Sequence, residues 1–263
     1  MDLRLKGRTA VVTGASKGIG LGVAHALAEE GCARVHIVSR TREALETAAK
    51  GLRDRHGTEV KLHALDLSKR GSAAALLEAT GTPDILVNNA GAIPAGDIER
   101  IDEDTWREAW ELKVFGYINL SRAYYAAMSK ARRGVIVNVT GLAAERHDYG
   151  YIAGTTGNAG LNAFTRALGS YSLERGVRVL AVCPGLTETE RLVTLMKAGA
   201  RQRTGSEDGW RDAYKTAPMQ RAATVEEVAN VVAFLASDRA SYMSGTVVTV
   251  DGGHGARNGN FSK

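Results

Sequence analysis

The stretch Thr9-Ala-Val-Val-Thr13-Gly14-Ala15-Ser16-Lys17-Gly18-Ile19-Gly20 decides the fold of this chain. An apolar, β-branched run leads into a turn with three glycines, and apolar residues at helical spacing follow from Leu21 to Glu30. Glycines let the backbone turn tightly and approach a ligand, and a helix N-terminus offers free N–H groups and a positive dipole end to phosphate. Strand, turn and helix in this order predict a dinucleotide-binding turn. Its binding residues would be Gly14, Ser16, Lys17, Gly18, Ile19 and Gly20.

Further apolar runs with helical stretches between them extend the same pattern through the chain. They are Arg34–Val38, Glu59–His63, Asp84–Asn88, Gly134–Asn138, Val177–Val182 and Gly245–Val250. Short, nearly continuous apolar strands separated by helices indicate a parallel sheet buried on both faces. We predict an α/β fold: a single doubly wound Rossmann-type domain over residues 1–263, with a seven-stranded, mainly parallel sheet and helices on both faces. Residues 190–218 have a weak pattern, and we predict that they form a mobile substrate flap with short helices.

Composition argues against several classes of function. The net charge is +5, aromatic residues make up 6%, and the cations are scattered, so we expect no nucleic-acid partner. The sequence shows no apolar run of membrane-spanning length and no signal peptide, so we expect no membrane contact and a cytoplasmic location. Cys32 and Cys183 stand in apolar surroundings typical of buried thiols, and we predict no metal site.

The end of the second predicted strand bears on the choice of dinucleotide. An enzyme that selects the unphosphorylated dinucleotide usually has an acidic residue there, on the ribose 2′-hydroxyl. This chain has Ser39 and Arg40 instead. A guanidinium matches phosphate geometry, so Arg40, with Ser39 and Lys17, predicts NADP(H), with NAD(H) the less favoured alternative. The other interpretation is that Arg40 only solvates the end of a strand.

Three more turns follow predicted strands. They are Leu65-Asp66-Leu67, Asn88-Asn89-Ala90-Gly91 and Cys183-Pro184-Gly185-Leu186-Thr187-Glu188-Thr189. With the first turn, they resemble the TGxxxGxG, NNAG and PGxxxT segments of the short-chain dehydrogenase/reductase family, particularly members like 3-oxoacyl-ACP reductase. The resemblance runs from about Leu5 to Gly253.

This resemblance implies roles for single residues. Asp66 and Leu67 would flank the adenine, and Asn89, Ala90 and Gly91 would line the adenosine ribose. Thr187 and Thr189, after Pro184 and Gly185, would hold the nicotinamide amide, and Ile19 would lie near the pyrophosphate. The family also implies a homodimer or homotetramer joined through two long helices, here spanning roughly residues 104–130 and 152–173.

The same resemblance places the catalytic centre, and there the chain departs from the family. Members use a Ser, a Tyr and a Lys, with an Asn on a neighbouring helix. In the register set by residues 158–168, the Lys position is Asn158, the Tyr position Gly154 and the Ser position Gly141. Counting from Trp106, the Asn position is Lys113. Glycine cannot transfer a proton, so the family's usual mechanism cannot operate through these residues.

Several substitutes are open. A phenol from Tyr151 or Tyr149 could enter the pocket, and Lys113 could replace the missing ammonium; alternatively the tyrosines are loop or contact aromatics and Lys113 is a surface lysine. His147-Asp148 could form a general base with an orienting carboxylate, although a loop histidine is more often solvated. The two glycines could instead enlarge the pocket above the nicotinamide.

The function we predict is an oxidoreductase that acts on a carbonyl or hydroxyl compound through non-standard acid–base groups. Its partner would be a small-molecule substrate, such as an acyl or other bulky apolar carbonyl compound. Two alternatives remain: an inactive cofactor-binding sensor or partner subunit, and a non-redox lyase or isomerase on the same fold.

Overall fold

The sheet has the predicted number of strands in a single layer. The computed structural model describes residues 1–257, and its seven strands follow the order β3-β2-β1-β4-β5-β6-β7. All six strand pairings are parallel, so "mainly parallel" understates the order of this sheet. The strands are β1 Thr9–Thr13, β2 Arg34–Ser39, β3 Glu59–Ala64, β4 Ile85–Asn88, β5 Gly134–Val139, β6 Val177–Pro184 and β7 Thr246–Val250.

Helices cover both faces of the sheet, which confirms the doubly wound architecture. They are α1 Gly18–Glu29, α2 Arg42–His56, α3 Ser72–Thr80, α4 Glu103–Trp110, α5 Gly116–Ala131, α6 Ile152–Gly169, α7 Glu190–Thr204 and α8 Val225–Ala236. Along β1, Val12 packs with α1, α2 and α8, whereas Val11 packs with α3 and α5 on the opposite face. Successive strand residues therefore both enter apolar cores, which explains the continuous apolar runs in the sequence.

The helix expected over residues 104–130 is interrupted near its first third. Between α4 and α5, residues Glu111–Phe115 form a turn of π-helix. Such turns insert a residue into a helix and are frequent at functional sites. This one carries Lys113. The second long helix is shorter than expected: α6 ends at Gly169, and a separate 3₁₀ turn covers Leu173–Arg175.

The predicted flap is more regular than expected, because α7 is a helix of 15 residues. The Thr189 side chain accepts a hydrogen bond from Leu192 N at its start, and Gly205 ends it in a left-handed conformation. Behind α7, Ala200, Trp210, Tyr214 and Ala222 form a small apolar cluster. A Gly and several cations within α7 conceal its apolar face in the sequence. In residues 1–257, no helix is long and apolar enough to cross a membrane.

Candidate active site

A cavity of about 690 Å³ lies at the carboxyl ends of β1, β2 and β4. We call it the first cavity. Its walls include most of the predicted cofactor residues. They are Gly14, Ser16, Lys17, Gly18, Ile19, Ser39, Arg40, Leu67, Asn89, Ala90, Gly91 and Thr189. The crevice beyond the strand ends, where the strand order reverses, is where open α/β sheets bind ligands.

The glycine-rich turn has the close backbone approach that a phosphate cradle requires. Gly14 has φ +64°, and a Cβ on it would lie 2.9 Å from Ala90 Cα. Lys17 stands at the start of α1, and no side chain caps the helix there. The first N–H groups of α1 are therefore available to an anion.

Polar and cationic groups complete the walls of the first cavity. Ser16 Oγ and Ser39 Oγ are hydrogen-bonded at 3.1 Å. Beside them, the exposed Arg40 lines the cavity, and Lys17 Nζ lies 3.9 Å from Glu190 Oε2. An uncapped helix N-terminus, two hydroxyls and two cations suit a phosphorylated dinucleotide.

Five predicted cofactor residues lie elsewhere. Asp66 and Gly20 line neither large cavity. Burial opposes ionisation of Asp66, but the hydrogen bonds from Ser68 and the positive charge of the nearby Arg40 outweigh it, so the pKa of Asp66 is lowered. The carboxylate accepts from Ser68 N and Ser68 Oγ and thereby stabilises its own turn. A Cβ on Gly20 would collide with Asn89 Nδ2 and Gly14 O, so this glycine permits the turn to close. The remaining three, Pro184, Gly185 and Thr187, line the adjoining cavity.

That adjoining second cavity has a volume of about 730 Å³. It continues the first, because the two share a wall. The shared residues are Ile19, Gly91, Lys113, Thr140, Thr189, Arg191 and Leu195. A ligand in the first cavity and a substrate in the second would therefore meet at this wall.

Lys113 is the buried cation of the shared wall. Its Nζ donates to Val139 O at 2.7 Å and to Tyr117 Oη at 3.0 Å, and Tyr117 Oη donates to Val139 O at 3.0 Å. Burial, with a contribution from the charge of Arg191, lowers the pKa of Lys113 to about 7. Lys113 is only 8% exposed, so its interpretation as a surface lysine is wrong. An amine with this pKa can exchange protons at neutral pH.

Tyr151 occupies the space beside Gly154. A Cβ on Gly154 would lie less than 3.0 Å from Cε1 and Cζ of Tyr151. The prediction that Gly154 enlarges the pocket is therefore wrong, because the ring of Tyr151 fills that space. The Tyr151 backbone is tied down on both sides: Gly96 N donates to Gly150 O at 2.7 Å, and Ile152 N donates to Gly96 O at 3.3 Å. Burial raises the pKa of Tyr151, and Arg191 opposes this rise.

Asn158 packs beside Gly141. Its Nδ2 donates to Gly154 O at 2.8 Å, and a Cβ on Gly141 would lie 3.3 Å from the same Nδ2. Its Oδ1 is buried and has no hydrogen-bond partner among the described residues. Asn158 lines the second cavity, so this oxygen is an acceptor at the site that no protein group uses.

The remaining candidates lie on the outer wall of the second cavity. Tyr149 is 68% exposed, and His147 and Asp148 are exposed as well. The Asp148 carboxylate accepts from Gly150 N at 2.8 Å. The structure shows no hydrogen bond between His147 and Asp148 within residues 1–257, so it does not bring them together as a base and its orienting group.

Sequence reasoning missed two residues of the site. Tyr117 lies four residues after Lys113, a spacing that places both on one helix face and could have pointed to their contact. Arg191 reaches across the cleft from the first turn of α7, and its guanidinium donates to Ile93 O at 2.6 Å and to Gly91 O at 3.3 Å. No local sequence pattern indicates that contact. As for metals, no three His, Cys, Asp or Glu side chains in residues 1–257 are grouped to hold an ion.

Comparison with known proteins agrees with this architecture. The family described as enoyl-(acyl carrier protein) reductase matches residues 14–255. The 3-oxoacyl-(acyl-carrier-protein) reductase FabG of Chlamydia muridarum is 34% identical over 257 residues, covering 96% of this chain and 99% of the relative. Galactitol 2-dehydrogenase (L-tagatose-forming) of Cereibacter sphaeroides is 35% identical over 256 residues, covering 95% of this chain and 96% of the relative.

A solved structure gives the same result. L-sorbose reductase from Gluconobacter frateurii, complexed with NADPH and L-sorbose, superimposes with a TM-score of 0.92 and 31% sequence identity, covering 98% of this chain and 100% of that one. The relatives named here are oxidoreductases, and the match extends over the strands, the glycine-rich turn and both cavities. The chain belongs to the short-chain dehydrogenase/reductase family.

Proposed function

We propose that this protein is an NADP(H)-dependent oxidoreductase that interconverts a carbonyl and a hydroxyl compound, with Tyr151 and Lys113 as its acid–base groups. One observation carries the proposal. Lys113 lies in the wall shared by the two cavities, and Tyr151 lines the second cavity from the place beside Gly154. A proton-exchanging phenol and a cation thus face the volume in which a substrate would meet the dinucleotide.

The preference for the phosphorylated dinucleotide rests on the first cavity. Arg40, Ser39 and Lys17 would hold the 2′-phosphate, and the N-terminus of α1 would hold the pyrophosphate. The related L-sorbose reductase was solved with NADPH, which supports this choice. When bound, the cofactor supplies or accepts a hydride.

The proton would come from this chain's own residues. Because burial raises the pKa of Tyr151, its phenol keeps its proton at neutral pH and can donate it to a substrate oxygen during reduction. The phenolate left behind is favoured by the charge of Arg191, which opposes the rise in pKa. Lys113, with a pKa of about 7, can add a second positive charge below that pH.

The second cavity favours a partly apolar substrate. Leu142, Leu186, Leu192 and Leu195 line it, and it has the size typical of small-molecule sites. We expect a small carbonyl compound with an apolar portion, such as an acyl compound. A homodimer or homotetramer and a cytoplasmic location remain predictions.

The test measures NADPH oxidation with a panel of ketones and aldehydes, together with NADPH affinity by fluorescence. We expect Tyr151→Phe to lower kcat/KM by about a hundredfold or more without changing the Kd for NADPH. Tyr149→Phe is the matched control, because Tyr149 lines the same cavity but is largely exposed. Equal activity of Tyr151→Phe and wild type would overturn the assignment of Tyr151.

Two other outcomes would favour the alternative functions. NADPH binding without hydride transfer to any member of the panel favours a sensor or partner subunit. Conversion of a substrate without a change in NADPH favours a lyase or isomerase.

A further inference from the structure

The outer end of the second cavity carries an arginine and a histidine that the proposed chemistry does not use. Arg146 follows the 3₁₀ turn Leu142–Ala144 after β5, and His254 lies in the turn after β7. Both line the second cavity. We call them the outer pair.

The turn that carries His254 is held in place by its own carboxylate. Asp251 Oδ1 accepts from Gly253 N at 2.8 Å, and Oδ2 accepts from Gly255 N at 2.6 Å. A Cβ on Gly255 would lie 2.9 Å from Leu142 Cδ1, so the turn packs closely against the 3₁₀ segment before Arg146. The two members of the outer pair thus come from separate strands but adjacent, packed turns.

The outer pair has unused hydrogen-bonding capacity. His254 Nδ1 is buried without a partner among residues 1–257. Arg146 is exposed, and within the same residues its guanidinium makes no hydrogen bond or ion pair. Burial first, then the positive charges of Arg146 and Arg257, lower the pKa of His254, while Asp251 raises it. In the tautomer that carries its proton on Nδ1, His254 is a buried donor without an acceptor, and a bound anion would satisfy that donor.

The charge of the second cavity favours an anion over a cation. Its wall includes the basic side chains Lys113, Arg146 and Arg191, against the single carboxylate of Asp148. That carboxylate already accepts a hydrogen bond from Gly150 N. The apolar side chains Leu142 and Leu186 lie in the same wall as the outer pair.

From this arrangement we infer that the substrate carries a carboxylate or phosphate group, which Arg146 and His254 bind while the reacting carbonyl reaches Tyr151 and Lys113. This inference rests on the proposed function for its reacting carbonyl. Arg146 and His254 would be specificity residues that select an anionic substrate with an apolar portion between its anionic group and its carbonyl.

The test compares ketones that differ only in their terminal group. We would measure kcat/KM with NADPH for a series of methyl-ketone carboxylates of increasing chain length, each beside its methyl ester. We expect the carboxylate to be preferred at one chain length by about tenfold or more, the scale of a charge-assisted hydrogen bond. Arg146→Gln should abolish this preference by lowering kcat/KM for the carboxylate more than for the ester.

Matched variants separate a local effect from a general change in charge or folding. Arg175→Gln removes an exposed guanidinium from the 3₁₀ turn before the amino end of β6, whereas the cavities lie at the carboxyl ends of the strands, and should keep the preference. His254→Phe should weaken the preference, and His254→Asn, which retains an N–H donor, should restore part of it. Equal preference in wild type and Arg146→Gln would overturn the inference even if every ketone is reduced.

A second measurement does not depend on turnover. Calorimetry would give the affinity of octanoate, octanamide and inorganic phosphate for wild type and Arg146→Gln. Arg146-dependent binding of octanoate or phosphate, but not octanamide, supports the anion site, even if no ketone is reduced and the proposed function fails. Octanoate indicates a carboxylate and phosphate indicates a phosphoryl group, whereas no Arg146-dependent binding of either overturns the inference.

Discussion

The ring of Tyr151 lies against the Cα of Gly154, so closely that any side chain at residue 154 would overlap Cε1 and Cζ of the phenol. The bond that ties Ile152 N to Gly96 O fixes the backbone just after the tyrosine. The phenol therefore has one position in this site only while residue 154 is a glycine.

Replacing Gly154 by alanine should disturb the site as much as the fold. We expect Gly154→Ala to displace the Tyr151 ring, to lower the free energy of unfolding by about 1–3 kcal/mol through overpacking, and to reduce activity. Gly160→Ala is the control on the same helix, because a Cβ there would meet no atom within 4 Å. That variant should be stabilised by up to about 1 kcal/mol. Urea unfolding measures both; similar behaviour of the two variants would contradict the contact.

Lys113 should make stability depend on pH. Its pKa is about 7 in the folded protein, against 10.5 for an ordinary lysine. Between these values the unfolded chain binds more protons than the folded protein, so the free energy of unfolding rises as pH rises from about 7 to about 10.5. Below pH 7 the buried Lys113 is protonated, and the free energy of unfolding is lowered by the full cost of burying its charge. In Lys113→Met, Tyr117 still donates to Val139 O. The unfolding free energy of wild type should rise relative to this variant by a few kcal/mol from pH 7 to pH 10, a few times the roughly 1.4 kcal/mol that one pKa unit represents.

The control for that pH dependence is Lys130→Met, which removes an exposed lysine from α5. Its unfolding free energy should run parallel to that of wild type across the same pH range. A parallel curve for Lys113→Met as well would show that Lys113 keeps an ordinary pKa.

Arg40 should determine the choice between the two dinucleotides. We expect Arg40→Ala to raise the Kd for NADPH by about tenfold or more, because a phosphate loses a charge-assisted partner, and to change the Kd for NADH little. Fluorescence titration with both cofactors measures the ratio. Arg42→Ala is the matched control, because Arg42 lies two residues from Arg40 and pairs with Glu46. A fall in affinity for both cofactors alike would place Arg40 outside the 2′-phosphate site.

Arg178 should contribute to stability without contributing to activity. The guanidinium of this strand residue donates to Leu235 O, Ala236 O and Ser237 O at 2.6, 3.2 and 2.9 Å, and so satisfies carbonyl groups at the end of α8. We expect Arg178→Met to lower the free energy of unfolding by about 2–4 kcal/mol, because several bonds to a charged group are lost. Kinetic constants at 25 °C should be unchanged, and a large change in KM would indicate that α8 affects the cleft.

The sequence predicted the sheet better than the site. Each strand is a short apolar run between helical stretches, and for this reason all seven strands were predicted within one or two residues of their bounds. The interior of α7 gave a weak pattern because Gly199 and several cations interrupt its apolar face. Local patterns do not show how a loop returns to the protein. The position of Tyr151 beside Gly154 depends on a backbone contact with Gly96, about 55 residues earlier in the chain.

The burial of Lys113 was equally hard to predict, because one of its hydrogen-bond acceptors is the backbone carbonyl of Val139 at the end of β5. Backbone acceptors carry no sequence signature. Asp66, whose place after β3 predicts a ligand contact, accepts hydrogen bonds from Ser68 N and Ser68 Oγ, and its contact with the adenine stays a prediction. The types of residue at the ends of the predicted strands identified the cleft. They did not show which polar groups remain free to contact a ligand.

Gly91 in the shared wall has a consequence for how this site could evolve. A Cβ there would lie 2.6 Å from Lys113 Cδ, just as one at residue 154 would overlap Tyr151. Lys113 thus depends on a glycine on another segment of the chain and Tyr151 on a glycine one helical turn later, so we expect substitutions within each pair to be coupled. A mutation that placed a tyrosine at residue 154 would displace the ring of Tyr151. A tyrosine at residue 154 would therefore require at least one further change that makes room for it, so the residues at 151 and 154 constrain each other.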